Sequence, residues 1–450
     1  LINNCNVKIT KGKVDFPVVL ENEEKKDREY IEELIREKLP NKYSNITDEI
    51  SKRIKYELDI IDNMGYIRYF LIVMDFISYA KENNIYIGPG RGSAAGSIIS
   101  YILGITEVDP IKYGLFFERF LNPERISMPD IDVDIEQERR GEVIEYLKRK
   151  YGARNVSQII TFSTFKPALA LKDISKVLEI PEKSIRNIID KSKIYGLDGL
   201  DDKRDIVKKL IDYAKRIENK PKNMSTHAAG VIISKNDMRD ELPLVFNGKD
   251  YQVQYEAQFL EELGYLKMDL LGLKNLNTIK SSVEKSGLKD NIYKLKDEKE
   301  AYDLLNLGDT LGIFQCESDG ITRLAKKLKI NSLEDIALLL ALYRPGPLES
   351  GYINNLIEVK NNNNIKVKYI HPLLEKILAP TYGVLVYQEQ VMQIAREISG
   401  YSLASADELR KAIGKKNPEI LKEHRKKFIE NAIVPKEKAK EIYDLIEKFG

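Results

Sequence analysis

The chain has 450 residues, 43% hydrophobic and 32% charged, with a formal net charge of +2. That exceeds the usual size of one hydrophobic core, so two or three subdomains are expected, and near-neutrality leaves any nucleic-acid affinity to local basic patches. No apolar run approaches the roughly 20 residues that span a bilayer and no signal-peptide layout opens the chain, which points to the cytosol. Three histidines (His227, His371, His424) and two distant cysteines (Cys5, Cys316) argue against a histidine- or cysteine-built metal centre.

Residues 1–20 alternate like strands at Val7–Thr10 and Phe16–Leu20 and start without an initiator methionine, as an excised fragment would. From about 24 to 83 the periodicity predicts three charged amphipathic helices, with a break at Met64-Gly65-Tyr66. Ile87 to Ser97 then reads as a short strand, a glycine-rich turn and a small-residue helix. Glycines admit a ligand close to the backbone, a helix N-terminus offers unpaired N–H groups, and Arg91 adds bidentate donors. That is the chemistry of a phosphate cradle, although the Walker spacing is missing. Phe116 to Arg125 reads as a helix ending at Asn122-Pro123, with Arg119 and Arg125 either serving phosphate or pairing with neighbouring glutamates.

The chain is organised around Ser127-Met128-Pro129-Asp130-Ile131-Asp132-Val133-Asp134-Ile135. As a strand, its period of two places Asp130, Asp132 and Asp134 on one face, each about 6.5 to 7 Å from the next. Like charges at that spacing repel, and hard carboxylate oxygens suit Mg²⁺ or Ca²⁺. The alternative is an amphipathic strand whose acidic face is simply solvated. A phosphate cradle upstream favours the metal reading, because the two together are what nucleotidyl transfer requires.

Glu138 to Tyr151 reads as an amphipathic helix and Val156 to Phe162 as a buried strand, followed by Lys166 and Lys172 on a helix. Residues 173–222 are helical and charged, either a subdomain lying on a substrate backbone or a solvated insertion. A turn is expected at Ser225 to Gly230, with His227 structural or facing a ligand, before the strand Val231 to Ser234. In Gly264 to Leu273 a single carboxylate, Asp269, stands in an apolar run, which is expensive unless it meets a cation or a donor. Either Lys267 on the same strand face neutralises it, or Asp269 joins Asp130 and Asp132 in a three-carboxylate site for two metals while Lys267 faces a substrate phosphate. From 297 onward helices predominate. A polar loop is expected at Asn361 to Asn364, and Arg410, Lys411, Lys415 and Lys416 form a basic cluster that suits a triphosphate, a nucleic-acid backbone or solvent.

Taken together, Gly88-Pro89-Gly90-Arg91-Gly92-Ser93, Phe117 to Arg125, Ser127 to Asp134, Lys267 to Leu273, Tyr343-Arg344-Pro345-Gly346-Pro347-Leu348 and Tyr387-Gln388-Glu389-Gln390-Val391-Met392 resemble the C-family bacterial replicative polymerases, the DNA polymerase III alpha subunits of the DnaE type. The resemblance covers nearly the whole chain. It implies an α+β fold: a polymerase-beta-like nucleotidyltransferase palm with a mixed sheet, plus helical thumb and helical fingers. The implied boundaries are a remnant following a PHP domain at 1–20, palm at 21–150 and 226–290, thumb at 151–225, and fingers, cut short, at 291–450. Asp130, Asp132 and Asp269 match the catalytic carboxylates that bind two Mg²⁺ ions, with Asp134 a candidate to replace one of them. Arg91, Gly92, Ser93, Lys267, Arg410 and Lys411 match nucleotide-binding positions. The implied substrates are primer-template DNA and deoxynucleoside triphosphates, with pyrophosphate released, and the implied partners of a full-length protein are the sliding clamp and other replisome subunits. The family's PHP domain and C-terminal modules are not expected within this stretch. Competing readings are a nucleic-acid-binding fragment without turnover and a template-independent nucleotidyltransferase.

Overall fold

The computed structural model describes residues 16–17, 19, 26–124, 128–288, 292–295, 298–349, 351–362 and 364–449. The strand-like stretch at 7–10, Arg125, Ser127 and part of the loop expected at 361–364 therefore lie outside the described residues.

The three N-terminal helices form where the periodicity places them: α1 at Asp27–Lys42, α2 at Asp48–Asn63 and α3 at Ile67–Glu82. Thr47 caps α2 by accepting the Ile50 N–H, and Gly65, at φ +76°, turns the chain into α3. Two expected helices are much shorter than predicted. The small-residue stretch is a 3₁₀ turn, Gly92–Gly96, separated from the five-residue α4, Ile98–Ile102, by Ser97 in an extended conformation at φ −98° and ψ 123°. In the Phe116 segment only Phe117–Arg119 is helical, a 3₁₀ turn that drives Phe117, Phe120 and Leu121 into the core. The acidic strand β1 is Asp132–Glu136, and α5 follows at Arg140–Tyr151.

Strand β2, Val156–Thr164, precedes three helices: α6 at Pro167–Val177, α7 at Glu182–Tyr195 and α8 at Asp205–Ile217. Strand β3 spans Pro221–Ile233, but its ladder with β2 is interrupted where the turn at 225–230 is expected. The antiparallel register steps from Ile160 opposite Thr226 to Gln158 opposite Val231, so one β2 residue faces the four residues 227–230, which bulge out of the ladder. There His227 Nδ1 accepts the N–H groups of Ala229 at 3.2 Å and Gly230 at 2.7 Å, which makes it a structural histidine. Short strands β4, Leu244–Phe246, and β5, Tyr251–Val253, lead to β6, Lys267–Leu273.

The chain divides into two compact units. The first includes Leu147–Met268 and contains strands in the order β3-β2-β5-β4, with parallel and antiparallel pairing mixed. Its helices α6 to α8 bury a core of their own; α8 contributes Val207, Leu210, Ile211 and Ala214, the spacing of one helical face. Lys172 is spent on Glu182 of α7, at 2.7 Å.

The second unit includes Val18–Tyr146 and Asp269–Gly450. Here β1 pairs in parallel with β6. Helices from Lys299 onward enclose two further apolar cores, one around Leu328, Leu342 and Leu356, the other around Met392, Phe428 and Tyr443. The architecture is α+β with mixed strand pairing and helical regions, as expected. No helix among the described residues is long and apolar enough to cross a membrane.

Candidate active site

β1 begins at Asp132, so Asp130 precedes the strand instead of lying within it. It is held there from α3: the buried Tyr69 hydroxyl oxygen accepts the Ile131 N–H at 2.9 Å. Burial pushes the Tyr69 phenol up, and the nearby charges of Asp130, Asp269 and Asp132 push it further, against the pull of the Ile131 amide. On the neighbouring strand the parallel register sets Asp269 opposite Asp132. One carboxylate oxygen from each of Asp130, Asp132 and Asp269 then lies within 4.8 Å of the others. Asp130 is exposed, Asp132 half-buried and Asp269 buried.

Two unit charges 4.8 Å apart repel by about 3 kcal/mol at an effective dielectric near 20, which is large beside a typical net stability of about 5–15 kcal/mol. A cation among the oxygens offsets that repulsion, part of which Arg91 already relieves at Asp132. Three carboxylates with no histidine or thiol are a hard donor set of the kind that suits a divalent metal ion. Asp134 shares the face of β1 but stands opposite Leu271, and its oxygen lies 3.2 Å from Arg91 Nη1.

The glycine-rich turn lies directly against this strand. Ile87 bridges to Ile135, and the Gly88 N–H donates to the Asp134 carbonyl at 2.8 Å. A Cβ on Gly88 would sit 2.9 Å from that of Asp134, and one on Gly90 2.8 Å from Thr106 Cγ2. Arg91 aims its guanidinium at the acidic strand, with Nε 3.7 Å from Asp132 Oδ2 in addition to the Asp134 contact. A Cβ on Gly92 would be 3.8 Å from Asp132 Oδ2. Ser93 follows in the 3₁₀ turn. The turn's far end is fixed by Gly96, whose missing side chain would meet the Phe116 carbonyl oxygen at 2.5 Å. Gly96→Ala is therefore expected to lower stability by about 1–3 kcal/mol through backbone displacement, read as a fall in the thermal unfolding midpoint; an unchanged midpoint would refute the tight approach.

The remaining predicted residues fall elsewhere. Lys267 opens β6 two residues before Asp269, on the same strand face by the period of two, and belongs to the first compact unit. Arg410 and Lys411 lie on the helix Leu403–Lys415, gathered around the fully buried Asp407. Arg410 donates to Asp407 Oδ1 from Nε at 2.9 Å and Nη2 at 2.6 Å, and from Nη1 to Gln388 Oε1 at 3.2 Å. Lys411 Nζ is 2.7 Å from Asp407 Oδ2. Arg119 pairs with Glu389, far along the chain instead of beside it, and the Asn122 amide donates to the Ala404 carbonyl at 3.1 Å.

Three residues that hold these groups are given no role by the sequence reading. Tyr69 sits in an apolar run with nothing to distinguish it. Asp407 and Glu57 are each one acid among many in charged helices. The fully buried Glu57 carboxylate accepts from Arg53 Nε at 2.5 Å, Ser97 Oγ at 2.8 Å, and the N–H groups of Ile98 and Ile99 at 3.1 and 3.3 Å. Only the i,i+4 spacing to Arg53 was visible as a signal.

A glycine-rich turn beside three convergent carboxylates is an arrangement suited to a phosphate and a divalent cation, and comparison with known proteins gives the family. Residues 29–272 match the family model described as the bacterial DNA polymerase III alpha NTPase domain, and residues 273–435 match the bacterial DNA polymerase III alpha subunit finger domain. Among curated proteins, the DNA polymerase III subunit alpha of Aquifex aeolicus is 41% identical over 94% of this chain and 40% of its own length. That of Borreliella burgdorferi is 43% identical over 94% of this chain and 38% of its own. For Bacillus subtilis the figures are 42%, 100% and 42%. This chain belongs to the bacterial DNA polymerase III alpha subunit family. It spans about two fifths of the length of the curated relatives it matches.

Proposed function

We propose that this chain carries out template-directed DNA synthesis, adding deoxynucleoside triphosphates to a primer 3'-hydroxyl with release of pyrophosphate, as part of chromosome replication in the bacterial cytoplasm. The observation that carries the reading is the convergence of Asp130, Asp132 and Asp269 within 4.8 Å beneath the Arg91 turn. Residues 21–150 and 226–290 serve as palm, 151–225 as thumb and 291–450 as fingers. The self-contained core of α6 to α8 supports the thumb assignment.

Two Mg²⁺ ions held by Asp130, Asp132 and Asp269 supply, when bound, the acidity of the 3'-hydroxyl and the charge that offsets the triphosphate. The protein's part is to hold these oxygens where β1 and β6 fix them. Asp269 is anchored in a buried strand, Asp132 faces it, and Asp130 is tethered through Ile131 to Tyr69. Arg91, with Gly92 and Ser93, faces the triphosphate; Lys267, Arg410 and Lys411 add positive charge for its phosphates. No side chain acts as a covalent nucleophile. Template choice comes from base pairing, so the protein contacts mainly phosphate and sugar, and DNA binding weakens with salt. In the longer protein the sliding clamp and other replisome subunits are partners.

The test is extension of a primed DNA template by one nucleotide, with Mg²⁺ and again with the metal chelated. Incorporation that follows the template base and stops on chelation supports the reading. A folded chain that incorporates nothing, or that ignores the template, overturns it.

A further inference from the structure

Asp134 has the address of a metal ligand without the contacts of one. It lies two residues beyond Asp132 on the same face of β1, yet the gathered oxygens are those of Asp130, Asp132 and Asp269. Its carboxylate faces Arg91, at 3.2 Å, and its backbone carbonyl accepts the Gly88 N–H at 2.8 Å. Gly88 also lies so close to the Asp134 Cβ that a side chain there would collide with it. The strand and the glycine-rich turn thus meet at Asp134 through side chain and backbone together.

Building on the polymerase reading, we infer that Asp134 is a positioning residue that holds Arg91, and with it the turn from Gly88 to Gly96, against the carboxylate triad, and that it does not ligate metal. The exposures divide the pair's labour. The Asp134 side chain is 11% exposed and that of Arg91 45%, so the carboxylate is the buried anchor and the guanidinium the accessible end. A nearly buried carboxylate needs a cation, and Arg91 is the one placed on it. The two contacts of Arg91 are also unequal. The Asp134 contact is a hydrogen bond, whereas the 3.7 Å approach to Asp132 is an ion pair beyond hydrogen-bond length. An incoming triphosphate therefore competes with Asp132 for Arg91 while Asp134 keeps its hold. Because a guanidinium carries five donors in a rigid fork, one edge can stay on Asp134 while another receives a phosphate oxygen.

The experiment compares Asp134→Asn with Asp132→Asn in the 450-residue chain by three readouts. Mn²⁺ binding, followed by paramagnetic resonance, is expected to change less than about twofold in Asp134→Asn and to weaken at least about tenfold in Asp132→Asn. Hydrogen exchange of the amides at 91–96 is expected to quicken in Asp134→Asn and to stay at the parent rate in Asp132→Asn. In nucleotide incorporation, Asp134→Asn is expected to raise KM for the triphosphate about tenfold, the scale of one charge-assisted hydrogen bond, with a smaller change in kcat. Combining it with Arg91→Ala is expected to be no worse than Arg91→Ala alone, as for two residues acting through one contact. Loss of Mn²⁺ affinity equal to that of Asp132→Asn makes Asp134 a ligand and overturns the inference, as does unchanged exchange of the turn. A parent chain that binds no Mn²⁺ and incorporates nothing overturns the polymerase reading instead; the exchange rates then decide the Asp134 assignment alone.

Discussion

Asp269→Asn is expected to lower single-nucleotide incorporation by about 10³-fold or more while leaving the metal-free chain as stable as the parent or more so. The two effects have opposite signs for one reason. Asparagine keeps the shape of the side chain in the buried middle of β6 and removes one of three negative charges that converge within 4.8 Å. Without a cation, that removes repulsion of about 3 kcal/mol per pair at an effective dielectric near 20, less where the partner is the exposed Asp130, and less again because Arg91 already offsets Asp132. With a cation, it removes a charged oxygen donor from a centre worth several kcal/mol to the transition state, and about 4 kcal/mol corresponds to 10³ in rate. Urea unfolding in the presence of a chelator, beside primer extension in Mg²⁺, reads both. A carboxylate that merely stabilised the fold would show the reverse: stability lost and activity following only in proportion. Incorporation within tenfold of the parent would remove Asp269 from the site.

The contrast explains why this site was largely legible before the structure. Asp269 is conspicuous because a lone acid in an apolar strand violates burial energetics, and Asp132 because alternation puts it on the polar face of β1. Their meeting follows from the parallel pairing of β1 with β6, which sets Asp132 opposite Asp269. What the sequence left hidden are contacts between distant segments. Asp130 lies outside the strand that the alternation extended to include it, and what holds it is Tyr69, an aromatic in an unremarkable apolar run. Arg119 was surrounded by candidate glutamates but pairs with Glu389. The break expected at 225–230 proves to be a bulge inside a strand, because β2 supplies a ladder on both sides of it, and a small-residue cluster carries no sign of its partner strand. One expected helix shrank to a 3₁₀ turn and the other to a 3₁₀ turn and a five-residue helix, and with them went the helix dipole expected to hold phosphate. What remains of the cradle is the Arg91 guanidinium and a backbone without side chains at Gly88, Gly90 and Gly92.

That reduced cradle depends on Glu57, and Glu57→Ala is expected to lower stability by about 3–5 kcal/mol, the usual cost of stripping one partner from a buried ion pair. Four donors converge on this carboxylate, and each loses its acceptor: Arg53, Ser97 and the amides of Ile98 and Ile99. Burial pushes Glu57 up, with the charge of Arg53 the largest force pulling it back down, so the substitution also leaves a guanidinium without its counter-charge. The same Arg53 donates from Nη2 to the carbonyls of Gly96 at 2.8 Å and Leu115 at 3.2 Å, tying the end of the glycine turn to the segment that follows α4. Ser97, which Glu57 orients, caps α4 through the Ser100 N–H. A swing of Arg53 therefore loosens the turn that carries Arg91, and activity is expected to fall further than the loss of folded chain accounts for. Thermal unfolding and incorporation per folded molecule, measured on Glu57→Ala and Glu57→Gln, separate the two effects. Glutamine keeps an acceptor oxygen for the amides but not the charge for Arg53, so it is expected to fall between alanine and the parent in stability. If both variants melt within a degree of the parent, the buried cluster contributes nothing, and the turn must be held by Gly88, Gly90 and Gly96 packing alone.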